Sequence, residues 1–123
     1  MAEKKTARTM KHSEAAYAKA IKLMPGGVSS PVRAFKAVGG TPPFIKEAEG
    51  CTLTDIDGNS YIDYVASYGP AIVGHANERV VAALSKAIGR GSSYGAPTEA
   101  EIELAETIVS ALPSVEKIGR AHV

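Results

Sequence analysis

The tripeptide Asp57-Gly58-Asn59 restricts the fold of this chain more than any other stretch of the sequence. Gly and Asn tolerate the positive φ angles that a tight turn requires, and runs rich in β-branched or aromatic residues, CTLTDI and YIDYV, stand on either side. These runs predict a β-hairpin. A third run, FIKEA, stands before CTLTDI, and Glu-Gly separates the two. We therefore predict a small antiparallel meander of three strands between Phe44 and Val65.

A helical pattern precedes the meander. Tyr17, Ile21 and Met24 recur at helical spacing after Ser13, which is the predicted N-cap. The segment PGG, which begins at Pro25, ends this helix.

Two further helices are predicted after the meander. Asn77 is the predicted N-cap of the first, and the segment GRG from Gly89 ends it. Thr98 is the predicted N-cap of the second, with capping-box spacing to Glu101, and Pro113 ends it. We therefore expect this chain to have an α+β arrangement, with an N-terminal helix, a three-stranded antiparallel meander and two further helices.

The last two helices carry apolar stripes for which the sequence offers no evident partner. Val81, Leu84 and Ile88 form one stripe, and a similar row runs along the second helix from Ile102 to Leu112. Such faces normally pack against a larger sheet. We therefore expect residues 13–117 to be the front part of a larger protein.

The composition excludes several classes of function. The formal net charge is +1, and the one basic stretch is a polar tail predicted at residues 1–12, so nothing favours a nucleic acid or an anionic membrane as a partner. The single Cys51 precludes an internal disulfide and fits a reducing, cytoplasmic location. No apolar stretch reaches membrane-spanning length or resembles a signal peptide, and no Cys and His spacing is typical of a metal site.

Arg33 is the first candidate for chemistry. It follows the stretch GGVSSP, and a loop rich in Gly, Ser and Pro can hold a guanidinium group rigidly enough to bind a carboxylate through two hydrogen bonds. Ser29 and Ser30 supply hydroxyl groups beside it. The alternative is an ordinary surface arginine that follows a serine turn.

Two further loops are bent by glycine. In SYGPAIVGHAN, Tyr68 offers a flat ring for stacking on a cofactor or a substrate, although a core tyrosine fits the pattern as well. His75 has no metal-spaced partner and is more typical of a structural residue. The loop GSSYGAP, residues 91–97, leads into a helix N-terminus suited to an anion, or is an ordinary turn. These loops alone indicate no catalytic centre.

Together these stretches resemble the class-III pyridoxal-phosphate-dependent aminotransferases of fold type I. The block DIDGNSYIDYVASYGPAIVGHA resembles the segment common to the class. The stretches MPGGVSSPVRAFKAVGGTPPFI and GSSYGAPTEAEIELAE are similar to one branch, whose members move an amino group within (S)-4-amino-5-oxopentanoate to give the tetrapyrrole precursor 5-aminolevulinate. The matching positions in the class-wide block are Asp55, Asp57, Gly58, Tyr61, Asp63, Gly74 and His75.

The resemblance implies what the intact protein is and does. It implies an α/β fold, a pyridoxal 5'-phosphate cofactor that passes through its pyridoxamine form, a small amino-aldehyde substrate and a homodimer. It extends from about Ser13 to about Glu116, which is about the first quarter of the family's length. The lysine that binds the cofactor covalently, the phosphate-binding turn and the aspartate on the pyridine nitrogen lie in the family beyond position 123, so we expect no catalytic residue here.

The resemblance also implies roles for single residues. Ser30 and Arg33 occupy the positions that hold the substrate carboxylate. Tyr68 stands where the family usually has a tryptophan beside the cofactor and the substrate, so we expect it to contact both. After His75, Asn77 and Glu78 depart from the usual GHAHP and leave a helix cap.

Two alternatives remain at this point. Another class-III ω-aminotransferase would share the class-wide block without GGVSSPVRAF, and a non-catalytic binding module would use the glycine loops only to shape a surface. The last six residues, IGRAHV at 118–123, depart from the family's continuation. The string ATC GGA AGA GCA CAC GTC encodes them and matches a common sequencing adapter, so our hypothesis is that they are not native.

Overall fold

The structure is a computed structural model that describes residues 8–119. Residues 1–7 of the predicted tail, and residues 120–123 of the segment hypothesised to be non-native, lie outside these described residues. The chain divides after Ala82 into two compact units, which are described separately below.

The first unit is built on the predicted meander, which the structure confirms. Its strands pair antiparallel in the order β1-β2-β3. Gly58 has a φ of +83° in the tight turn between β2 and β3, a value that glycine adopts without strain. The elements of this unit are helix α1 (Lys11–Leu23), short 3-10 turns at Pro25–Gly27, Pro31–Ala34 and Ala66–Tyr68, strands β1 (Ile45–Glu49), β2 (Thr52–Asp55) and β3 (Ser60–Ile62), and the start of helix α2 (Glu78–Ile88).

A buried carboxylate organises the turn of the hairpin. Asp55 is 1% exposed, and its Oδ1 accepts hydrogen bonds from the backbone amides of Asp57 and Asn59 at 2.9 and 2.8 Å. Its Oδ2 accepts from the Asn59 side-chain amide at 2.8 Å and from the Tyr61 hydroxyl at 2.7 Å. Burial alone would raise the pKa of Asp55, but these hydrogen bonds outweigh it and hold the pKa below its ordinary value.

The same turn caps helix α1. The carboxylate of Asp57 accepts the backbone amides of His12 at 2.7 Å and Ser13 at 2.9 Å, which satisfies two N–H groups at the helix N-terminus. The prediction that Ser13 is the N-cap was therefore wrong. The helix begins two residues earlier, at Lys11, and Ser13 is buried inside it with its hydroxyl accepting the amide of Phe44 at 3.2 Å.

Helix α1 in turn holds the loop that follows it. Gly27 has a φ of +72°, and a Cβ atom at this position would lie 2.7 Å from a ring carbon of Tyr17 and 3.1 Å from Ile21. Only glycine allows this approach of the loop to the helix. The Tyr17 hydroxyl donates to the carbonyl of Gly26 at 3.4 Å, so the loop is anchored to α1 where it starts.

The caps of the last two helices follow the prediction in one case and not in the other. The Asn77 side chain accepts the amides of Arg79 and Val80 at 3.1 and 3.3 Å, which confirms it as the N-cap of α2. Helix α3 (Glu99–Ala111) lies in the second unit, and its N-cap position is Thr98 as predicted. The predicted capping box is absent, because the amide of Glu101 bonds to the backbone carbonyl of Thr98 and the threonine side chain caps nothing.

Few hydrophobic residues are fully buried in the part of the chain that the structure describes. Within residues 8–119, the buried hydrophobic side chains are those of Ala20 and Ala34. Leu84 on α2 and Ile102 on α3 are 62% and 60% exposed, so the two predicted stripes stay open to solvent. No helix in this part of the chain has both the length and the apolar character needed to span a membrane. Hydrogen bonds and close glycine contacts therefore carry much of the order in the first unit.

The cap on α1 gives a first prediction. Replacing Asp57 with alanine should lower the protection of the His12 and Ser13 amides from hydrogen exchange, because both lose their acceptor. An alanine at the exposed Glu49 should leave them unchanged. Equal exchange at these amides in wild-type protein and Asp57→Ala would contradict the capping role.

Acid should have the same effect as the substitution. Burial works to raise the pKa of Asp57, but hydrogen bonds from the Ser13 side chain and from the His12 and Ser13 amides outweigh it and lower the pKa below 3.8. The Asp57 carboxylate therefore binds a proton less readily in the folded state than in the unfolded state. The stability that ionised Asp57 contributes to the folded state is complete above about pH 4 to 5 and is lost as the pH falls through the folded-state pKa.

Candidate functional site

The structure places Ser30 and Arg33 on one short turn. Ser30 precedes the 3-10 turn Pro31–Ala34, and the Arg33 amide donates to the Ser30 carbonyl at 3.0 Å. Ala34, beside the arginine, is buried, and Phe35 adopts a left-handed φ of 55° that ends the turn. The backbone under the guanidinium is thus fixed on both sides.

The Arg33 side chain itself is exposed. Among the described residues 8–119, no carboxylate lies within 4.0 Å of its guanidinium, whereas the two ion pairs found there are Lys46–Glu47 and His75–Asp63. A guanidinium on a fixed backbone and without an internal acidic partner is suited to an external anion.

Tyr68 lies on a second, unusual turn. Ala66, Ser67 and Tyr68 have φ angles of 47°, 53° and 63°, three successive non-glycine residues in the left-handed region. Each such residue costs about 1–2 kcal/mol, and strain of this kind is concentrated at functional sites. Tyr68 is 71% exposed in this structure, so its ring is available for stacking.

Asp63 connects this turn to the rest of the unit. Its Oδ1 accepts the amides of Val65 and Ala66 at 2.8 and 3.1 Å, and its Oδ2 lies 2.6 Å from Nε2 of His75. The contact with His75 and the backbone hydrogen bonds lower the pKa of Asp63, against an opposing effect of burial. The carboxylate is therefore ionised near neutral pH.

His75 is held by the main chain as well. It exchanges two backbone hydrogen bonds with Gly50, at 2.9 and 2.8 Å, in an isolated β-bridge. Its side chain is 20% exposed and engaged with Asp63. The structure thus supports the interpretation of His75 as a structural residue.

The candidate residues form two groups in the structure. Ser30 and Arg33 share one turn, while Tyr68 lies on another, and no hydrogen bond among the described residues joins Tyr68 to either of them. Sequence reasoning did not identify Asp63 as part of the second turn. The signal for it was local, since an aspartate two residues before a turn commonly accepts the backbone amides that follow it.

The second unit contains the third glycine loop. The Tyr94 hydroxyl lies 2.8 Å from the carbonyl of Arg90 and 2.9 Å from that of Gly91, so the ring folds back over the end of α2. The Ser92 and Ser93 side chains are exposed. Within residues 8–119, no group of three or more His, Cys, Asp or Glu side chains is arranged to hold a metal ion.

Comparisons with known proteins place these features in context. The sequence profile of the aminotransferase class-III family matches residues 35–121. A glutamate-1-semialdehyde 2,1-aminomutase from Thermodesulfovibrio yellowstonii is 62% identical over 106 residues, which are 86% of this chain and 25% of that protein. The chain therefore spans about a quarter of the length of the curated relatives it matches.

Solved structures show the same similarity. A transaminase with pyridoxal phosphate bound superposes with a TM-score of 0.79 at 34% identity, over 89% of this chain and 25% of that one. A glutamate-1-semialdehyde aminomutase from Pseudomonas aeruginosa superposes with a TM-score of 0.71 at 29% identity, over 81% of this chain and 22% of that one. The predicted fold class is confirmed by these similarities.

The bridge at His75 gives a second prediction. Gly74 has a φ of +82°, and a Cβ atom there would lie 2.9 Å from the carbonyl oxygen of Gly50, whereas Gly40 has a φ of +81° with nothing within 4 Å. Both alanine variants carry the same backbone strain, so Gly74→Ala should lose about 1 kcal/mol or more of unfolding free energy beyond the loss in Gly40→Ala. Chemical denaturation measures the difference. Equal losses would show that the chain at Gly50 moves aside freely.

Proposed function

The chain belongs to the class-III aminotransferase family, and we propose that the full-length protein carrying it is a pyridoxal-phosphate-dependent aminomutase. In this proposal the protein converts (S)-4-amino-5-oxopentanoate, glutamate-1-semialdehyde, into 5-aminolevulinate for tetrapyrrole synthesis. The observation that carries the proposal is the exposed Arg33 on its fixed turn, without an acidic partner in the described residues. The identity to a glutamate-1-semialdehyde 2,1-aminomutase supports it.

Arg33 and Ser30 would bind the carboxylate of the substrate. A guanidinium group offers two parallel N–H donors to a carboxylate, and the Ser30 hydroxyl adds a third donor from the same turn. Moving an amino group between adjacent carbons of one molecule requires that both carbons reach the same reactive group in turn. Anchoring the carboxylate at one end of a short substrate meets this requirement. It fixes the distance from the binding site to both carbons and leaves the far end of the substrate free to shift.

Tyr68 fits a planar cofactor. Its ring is exposed on a turn closed by its own backbone, and Gly69 follows it without a side chain. An exposed aromatic ring on a fixed backbone stacks on a flat heteroaromatic ring at little entropic cost. When bound, pyridoxal phosphate supplies the electron storage that amino transfer requires. In our proposal Tyr68 orients both the cofactor and the substrate, while the covalent lysine lies in the part of the protein beyond this chain.

A second candidate is another transaminase of the same family. The transaminase structure, at a TM-score of 0.79, favours this candidate as much as the aminomutase structure favours the first candidate. The two candidates differ in the acceptor, since a transaminase passes the amino group to a second molecule. Single-substrate conversion of the semialdehyde by purified full-length protein distinguishes them. The expected assembly in either case is a homodimer in the cytoplasm, which sedimentation of the full-length protein and fractionation of cells would test.

The carboxylate site gives a third prediction. In the full-length protein, Arg33→Ala should raise KM for the semialdehyde by about tenfold to a hundredfold, because a charge-assisted bidentate contact is lost. The affinity for pyridoxal phosphate should not change. Lys36→Ala, three residues along and also exposed, is the matched control and should leave KM unaltered. If Arg33→Ala has the same KM as wild type, Arg33 is an ordinary surface residue.

The proposed position of the covalent lysine outside this chain gives a fourth prediction. The 123-residue chain, incubated with pyridoxal phosphate and reduced with borohydride, should show no stoichiometric pyridoxyl label on any one lysine in peptide mass spectra. It should also convert no semialdehyde, because in our proposal the chemistry needs groups outside this sequence. Full labelling of one lysine together with turnover would reveal a site within these residues and overturn the assignment of the lysine to the rest of the protein.

A further inference from the structure

The turn that carries Arg33 has no hydrogen bond to the elements around it. Among the described residues 8–119, none joins the turn Pro31–Ala34 to helix α1 or to the meander. The bond from the Arg33 amide to the Ser30 carbonyl closes the turn but does not attach it to another element. The position of the guanidinium group in the unit therefore depends on the chain beside the turn and on what the turn packs against.

Ala34 packs this turn against the glycine segment that precedes it. Ala34 is 4% exposed, although Arg33 beside it is exposed. Its Cβ lies 3.6 Å from the position that a Cβ atom on Gly26 would occupy, and the Cε atom of Lys36 lies 3.8 Å from the same position. These distances are those of ordinary packing contacts. The methyl group of Ala34 thus lies against the side of Gly26 that has no side chain, and this contact joins the arginine turn to the turn Pro25–Gly27.

Gly27, the next residue, holds the same segment tightly to helix α1. Gly27 is buried, and a Cβ atom on it would lie 2.7 and 3.0 Å from two ring carbons of Tyr17 and 3.1 Å from Cγ1 of Ile21. Tyr17 and Ile21 stand four residues apart and share one face of the helix. They close the space above Gly27 from two sides, so moving one of them alone does not make room for a side chain at position 27.

We infer that Tyr17 and Gly27 are positioning residues for Arg33. The ring of Tyr17, in contact with the backbone of Gly27, sets where the glycine segment lies on α1, and the contact between Gly26 and Ala34 passes that position on to the arginine turn. The inference rests on the proposed function for the task of Arg33, and on these contacts alone for its position.

The variant Gly27→Ala separates this contact from backbone strain. Gly27 and Gly40 have φ angles of +72° and +81°, so alanine is strained at both, but nothing lies within 4 Å of a Cβ atom on Gly40. In crystal structures of the full-length protein, Gly27→Ala should move the Arg33 turn away from α1 by about 1 Å, because carbon atoms pack at about 3.5–4.0 Å. Gly40→Ala should leave the turn in place. An unmoved Arg33 turn in Gly27→Ala would overturn the inference.

Kinetics of the full-length protein test whether the displacement reaches the substrate. Gly27→Ala should raise KM for the semialdehyde about fivefold or more and lower kcat less than about twofold, because Arg33 is proposed to contact the carboxylate and not the reacting carbons. The affinity for pyridoxal phosphate should not change, and Gly40→Ala should keep the KM of wild type. The same rise in KM for both alanine variants would show an effect of strain alone and overturn the positioning role.

A double-mutant cycle tests whether the effect runs through Tyr17. In the Tyr17→Ala background the ring carbons nearest Gly27 are gone, so Gly27→Ala should raise KM less than about twofold further. Equal effects of Gly27→Ala in both backgrounds would contradict the role of Tyr17.

Tyr17→Ala by itself keeps the inference testable if Gly27→Ala does not fold. It should raise KM about twofold to threefold, because the glycine segment loses its contact with the ring, and an unchanged KM would overturn the inference. If the full-length protein converts no semialdehyde, the proposed function fails, and the position of the Arg33 turn in the crystal structures decides whether Tyr17 and Gly27 set it.

Discussion

The order of the first unit depends on the buried carboxylate of Asp55. Its four hydrogen bonds form the turn between β2 and β3, and that turn presents Asp57 to the amides of His12 and Ser13. The helix placed in this way packs its Tyr17 against Gly27 and so anchors the loop that carries Arg33. A buried charge is tolerated only when its acceptor capacity is filled, and here it is filled by the segment it shapes.

Local sequence patterns were enough to predict the elements. The Asp57-Gly58-Asn59 turn, the antiparallel meander and the Asn77 cap all follow from interactions within a few residues, and the structure contains them. The predictions for Ser13 and for the Thr98 capping box failed for different reasons. The cap on α1 comes from a residue 44 positions away, which no local pattern contains. Thr98 has the right spacing, but the backbone carbonyl satisfies the Glu101 amide first.

The site residues themselves stay a prediction, and the sequence indicated only which loops carry them. Glycine and serine content identified the loops that carry Arg33 and Tyr68, and the resemblance named the same residues. The left-handed turn before Gly69 could not be foreseen, because Ala66, Ser67 and Tyr68 are ordinary residues whose own preferences favour other conformations. The Asp63 carboxylate at the start of this turn also contacts His75, 12 positions further along the chain. Such a contact becomes visible only in three dimensions.

The two turns of the site are attached to the meander by separate carboxylates. Asp57 holds the start of α1, which leads to the loop of Arg33, and Asp63 accepts two backbone amides at the start of the turn that carries Tyr68. Ala20 and Ala34 are the buried hydrophobic residues among the described ones, so directional hydrogen bonds to the meander have a large part in holding each turn. A unit of this kind can keep its site geometry while its apolar faces remain free to pack against other parts of a larger protein.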